Sequence, residues 1–152
     1  MDHKKTQFAE LDTWPYPVRI EYEWIHPERA DAPIAVFLHE GLGSIALWKR
    51  WPRSLCDRLN CRGLVYSRAG YGRSTPRRAD EKWPVEFLHH QARDVLPALL
   101  DALTIDATER ARMRLIGHSD ATAAPSPCSM RARFPMRWPA RPSWRRMCWS
   151  KT

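Results

Sequence analysis

The chain is 152 residues long, the size of one domain able to bury a core of its own, and its formal net charge is +8. A basic chain ordinarily points to nucleic acid or a membrane surface, but residues 121–152 hold six Arg, one Lys and no Asp or Glu, so the charge belongs to that tail. No apolar run approaches the roughly 20 residues of a membrane span, the polar start MDHKKTQ is no signal peptide, and Cys56, Cys61, Cys128 and Cys148 lack C-x-x-C or zinc spacing, so the expectation is a cytoplasmic protein with free thiols and neither metal nor cofactor.

In chain order, residues 16–25, YPVRIEYEWI, alternate apolar and polar residues as a half-exposed antiparallel strand does, and HPERADAP reads as a turn. Ile34 to His39, IAVFLH, is a short continuous apolar run that suits a strand covered on both faces. The glycine loop EGLGS follows, then IALWKRWPRSLCDRLN with apolar residues at helical spacing. GLVYSR is the next strand and ends in a second glycine loop, AGYGRS. In WPVEFLHHQARDVLPALLDALTI, Pro84 stands near the first helical position and Val85, Leu88, Ala92, Val95 and Leu99 fall three or four apart, which predicts an amphipathic helix kinked at Pro97. RMRLIGHS is a further strand and turn. Strands alternating with helices after an antiparallel start make the fold class α/β, with a largely parallel sheet and helices flanking it.

In such sheets, sites form where loops leave the carboxyl ends of strands. Three loops do so here: HEGLGS at 39–44, SRAGYGRS at 67–74 and GHSD at 117–120. Taken singly, each glycine loop reads as a tight turn. Their order and spacing carry more. His39-Glu40-Gly41-Leu42-Gly43 resembles the His-Gly loop of the α/β-hydrolase fold family, with Glu40 where Gly is more usual. YSRAGYGRS is similar to that family's next loop, and LIGHSD matches its nucleophile elbow in position and strand context, one residue short of G-x-S-x-G because the fifth position is Ala121. The resemblance covers roughly residues 16–120, and it identifies this stretch as the N-terminal portion of an α/β-hydrolase sheet, a partial domain over 1–120.

The resemblance implies a serine hydrolase acting through an acyl-enzyme on an ester, thioester, amide or activated carbon–carbon bond of a small molecule. Ser119 would be the nucleophile, and backbone N–H groups of Gly41, Leu42 and Asp120 would form the oxyanion hole, where one donor contributes about 3 kcal/mol in the transition state. His39 would order its loop and not transfer a proton. Other residues have plainer readings: Trp48 and Trp51 as packing under the first helix, adjacent His89 and His90 as a poor metal pair, and Asp94 on a solvated helix face. Arg68 and Arg73 could hold an anionic substrate, but loop arginines at a rim are ordinarily solvated.

The tail breaks the pattern. The family's order is Ser, then Asp or Glu, then His, yet the 33 residues after Ser119 contain one acid, Asp120, and no histidine. Without a base the serine hydroxyl is a weak nucleophile at neutral pH, so the chain as it stands is expected to be inactive. After Ile116 there is no Leu, Ile or Val, while Pro appears five times and Trp three times, which predicts poor order over 121–152. GC-rich codons for Ala121 to Met130, read two nucleotides on, can spell Asp-Gly-Gly-Thr-Ile-Ala-Leu-Leu-His. Joined to Gly-His-Ser this restores G-x-S-x-G and opens an apolar helix, the mark of a frameshift. The alternative is a non-catalytic binding protein that uses the Arg/Trp tail on nucleic acid or a membrane.

Overall fold

The structure is a computed structural model and describes residues 6–13, 16–84 and 86–118. Five strands form one mixed sheet in the order β1-β2-β4-β3-β5: β1 (Gln7–Leu11), β2 (Val18–Ile25), β3 (Ile34–Leu38), β4 (Arg62–Tyr66) and β5 (Arg114–Gly117). β2 runs antiparallel to both β1 and β4, whereas β3 is parallel to β4 and β5. The antiparallel start followed by parallel strands is therefore present. β1 was not foreseen, because five residues with only Ala9 and Leu11 turned inward give too short an alternation to stand out.

β3 is apolar throughout because both of its faces are covered. Ala35 and Phe37 meet Ile45 and Cys56 from two helices, α1 (Ile45–Trp48) and α2 (Trp51–Leu59). Ile34 and Val36 face the opposite layer, where Val95, Leu96, Leu99 and Leu100 also pack on Ile20, Leu64 and Tyr66. Fully burying a leucine such as Leu99 is worth about 2 kcal/mol, so this second layer anchors the sheet.

The predicted helix after β3 is broken in two at Lys49, whose φ of 50° no right-handed helix can carry. The long segment predicted from Pro84 begins at Phe87, as α3 (Phe87–His90), widens into a π-helical turn at Gln91–Val95 and continues as α4 (Leu96–Ala102). Pro97 has no N–H for the carbonyl of Arg93, and the expected kink takes the form of that wider turn, in which the Leu96 N–H reaches Gln91. Of its predicted apolar face, Ala92, Val95 and Leu99 are buried and Leu88 half-buried, while Val85 lies outside the described residues. α5 (Ala107–Arg112) is an additional short helix, begun by a reciprocal capping box of Asp106 and Glu109, side chain to backbone at 2.8 and 3.0 Å.

The connection from β3 leads to β4 on one side, and the chain then returns across β3 to place β5 on the other. The strand order reverses at β3, and in such sheets sites form beyond the carboxyl ends of the strands at this kind of position. Ser119, Asp120 and the tail 121–152 lie outside the described residues. Among the described residues, no helix is long and apolar enough to cross a membrane.

Candidate active site

The loop leaving β3 is organised by its first residue. His39 is 2% exposed; its Nε2 accepts the backbone N–H of Arg68 at 2.9 Å, and its Nδ1 lies 2.7 Å from the carbonyl oxygen of Glu40. A carbonyl can only accept, so the proton sits on Nδ1 and the ring is the neutral tautomer with both nitrogens engaged. The same Glu40 oxygen accepts from Arg68 Nη2 at 2.8 Å and from the Gly43 N–H at 2.9 Å. Three donors thus converge on one carbonyl. The next two amides, of Gly41 and Leu42, have no partner among the described residues, and the Leu42 side chain is 90% exposed.

Arg68 departs from expectation. It is not a solvated rim residue but 5% exposed, because Nη2 also bonds the His39 carbonyl at 3.1 Å and the guanidinium lies over the Tyr71 ring, 5.2 Å from its centroid. No carboxylate among the described residues lies within ion-pair distance of it. Arg73 is exposed, its guanidinium over Phe8.

The far end of the β3 loop is fixed from the same place. Ile45 N–H donates to Ser67 Oγ at 3.1 Å, and Ser67 Oγ donates to buried Glu21 at 2.9 Å. Glu21 also accepts the Arg73 N–H at 2.9 Å, and its own N–H reaches Ser74 Oγ at 2.9 Å. Ser67 and Arg68, the first two residues after β4, therefore clamp both ends of loop 39–45. Neither Glu21 nor Ser67 was singled out in the sequence, since a glutamate in an alternating strand reads as solvent-facing and a lone loop serine carries no signal.

β5 is tied to this loop. The His118 N–H extends the ladder to the Leu38 carbonyl at 3.1 Å, and His118 Nδ1 is 3.4 Å from Glu40 Oε2. The end of β5 at residue 118 therefore lies beside the loop that carries the two amides. Trp48 and Trp51 stack on each other with centroids 5.4 Å apart and both set their edges on Phe37, the packing role foreseen for them, with Trp51 remaining 45% exposed. His89 is exposed. Asp94 is less solvated than expected: it lies 2.8 Å from His90 Nδ1, one helical turn away. Cys56 and Cys61 are free and buried, and burial beside Cys61 pushes the Cys56 thiol up to about 12. Cys128 and Cys148 lie outside the described residues. Among the described residues no group of three or more His, Cys, Asp or Glu could hold a metal ion.

No protein-family model and no curated protein matches the chain. Solved structures do. A haloalkane dehalogenase from Bradyrhizobium elkani superposes with a TM-score of 0.57 at 23% identity, over 87% of this chain and 39% of that one. An epoxide hydrolase from Vigna radiata gives 0.57 at 18% identity over 82% and 33%, and a probable hydrolytic enzyme from Pseudomonas aeruginosa PAO1 gives 0.62 at 20% over 87% and 39%. What is shared at these identities is the fold. The chain spans less than two-fifths of the length of each of these three proteins.

Proposed function

We propose, from the α/β-hydrolase fold whose N-terminal part this chain carries, that it descends from a serine hydrolase of small-molecule carbonyl substrates. Ser119 is the ancestral nucleophile, and the N–H groups of Gly41, Leu42 and Asp120 are its oxyanion donors. The observation that carries this reading is the pair of unpartnered amides at Gly41 and Leu42 beside the strand end that leads to Ser119. Backbone donors left free at a strand's carboxyl end suit the developing negative charge of a tetrahedral intermediate. His39 orders this loop: with both ring nitrogens occupied it has no lone pair or proton to exchange with a substrate.

In this reading residues 121–152 offer neither the acid nor the histidine that would activate the serine. The tail is the product of a shifted reading frame, and residues 1–120 are the hydrolase portion. Two measurements test this. The nucleotide sequence after the Ser119 codon, read in the other frame, should continue as an open hydrolase sequence. A protein made from that restored frame should hydrolyse p-nitrophenyl acetate and lose about 10⁴-fold or more of kcat in the Ser119→Ala variant, whereas the 152-residue chain should show no Ser119-dependent turnover. A restored protein whose turnover survives Ser119→Ala would sink the proposal.

A further inference from the structure

Glu40's carbonyl and Gly41's N–H belong to one peptide unit. A carbonyl oxygen has two lone pairs, yet this one accepts from the His39 imidazole at 2.7 Å, the Arg68 guanidinium at 2.8 Å and the Gly43 amide at 2.9 Å. Drawing electron density onto that oxygen increases the double-bond character of the C–N bond and makes the N–H at its other end a stronger donor. Each bond in such a chain strengthens the next by about 10–30%. The cationic member is Arg68, and it is buried without a carboxylate partner among the described residues.

We infer that Arg68 is the electrostatic positioning residue of an oxyanion-binding site at Gly41. It polarises the Glu40–Gly41 peptide from behind and so sets how strongly the Gly41 N–H binds a negatively charged oxygen. The assignment of Gly41 as the donor rests on the hydrolase reading above; the role of Arg68 goes beyond it. Arg68 does not touch the bound oxygen. Its effect passes through two covalent bonds of one peptide and through the field of a buried cation, which falls off slowly where water is excluded.

The test reads anion binding and needs no turnover. In the ¹⁵N-labelled 152-residue chain, sodium acetate should shift the Gly41 amide resonance in a saturable way that sodium chloride at equal ionic strength does not. Arg68→Met should weaken the apparent Kd for acetate by roughly tenfold or more, the size of one charge-assisted contribution. Arg68→Lys, which keeps the charge but loses the planar fork, should weaken it about threefold, and Arg73→Met should match the unaltered protein. If Met and Lys weaken binding equally, Arg68 merely shapes the loop and the inference falls; it falls too if Arg68→Met binds like the unaltered chain or if acetate leaves Gly41 unmoved. Should Arg68→Met fail to fold, the Lys variant against Arg73→Met decides. Acetate binding that Arg68→Met weakens more than Arg68→Lys, in a chain without esterase activity, upholds the inference, whereas a serine-dependent esterase whose Gly41 ignores acetate overturns it and leaves the hydrolase reading standing.

Discussion

The two glycine loops, 39–44 after β3 and 67–74 after β4, look alike in sequence but differ in where their hydrogen bonds go. In the second loop most donors are used internally or on the sheet: Ser67 and the Arg73 N–H on Glu21, Ser74 Oγ on the Ser67 carbonyl at 2.6 Å, and the Gly70 N–H on Thr75 at 2.7 Å, while the separated N–H groups of Ala69 and Gly72 have no partner among the described residues. Its glycines are required by shape. Gly70 has a φ of 87° with the Trp83 ring 2.4 Å from where a Cβ would sit, and Gly72 has a φ of 55° with Ser67 Oγ 2.5 Å away. The first loop saturates one carbonyl with three donors and leaves the next two N–H groups without any. The second loop spends most of its donors on itself and the sheet, while the first leaves two consecutive amides side by side, and the glycine count does not tell the two apart.

The sharpest way to break this contrast is to attack the second loop. Gly72→Ala must push its Cβ into Ser67 and Glu21 from a left-handed backbone, so it should destabilise the chain by about 3 kcal/mol, read as a fall in the urea midpoint. A fall of only a few tenths would mean that the Glu21 network is loose and the two loops are not so different. Glu21→Ala should be comparable, at about 2–3 kcal/mol, since it leaves the Ser67 hydroxyl and the Arg73 N–H without their buried acceptor.

Alkaline titration addresses the layers beneath the loops. Burial holds both the Cys56 thiol and the Tyr66 hydroxyl up at about 12. Their ordinary values are 9.0 and 10.0. Both are acids whose folded-state values are raised, so the unfolded chain gives up its protons first as pH rises. The stability they contribute is complete below about pH 9 and is lost progressively toward pH 12. The melting temperature should fall through that window, and Cys56→Ser with Tyr66→Phe should flatten the fall; an unchanged slope in the double variant would contradict the assignment.

Smaller effects belong to the first loop. Gly43 needs no left-handed backbone, and a Cβ there would stand 3.0 Å from the Cβ of His39 and 3.2 Å from the Glu40 amide nitrogen. Gly43→Ala should therefore cost about 1 kcal/mol while shifting the Gly41 amide resonance, because it strains one of the three donors on Glu40. Glu40→Gln should change stability by no more than about 0.5 kcal/mol, since its 3.4 Å contact with His118 is partly exposed to solvent. A larger loss would promote that contact from a surface pair to a brace between loop 39–44 and the end of β5.

The local chemistry of the sequence determined much on its own. Alternation in residues 18–25 and the unbroken apolar run at 34–38 specified two strands and which of them would be covered on both faces, because side-chain period and burial are coupled. The three loop motifs, read in order, indicated the fold to which the solved structures are similar. The capping box at Asp106 and Glu109 is equally local, an acid three residues after an N-cap residue. Tertiary structure alone decided the rest. Arg68 and Arg73 are both loop arginines in sequence, but only Arg68 finds carbonyls within reach, since β4 pairs beside β3 and delivers residue 68 against the backbone of residues 39 and 40. Glu21 is buried because β2 lies next to β4, so that the loop leaving β4 closes over its carboxylate. Pairing between strands far apart in the chain sets which polar groups meet and which amides stay free, and no local pattern encodes that.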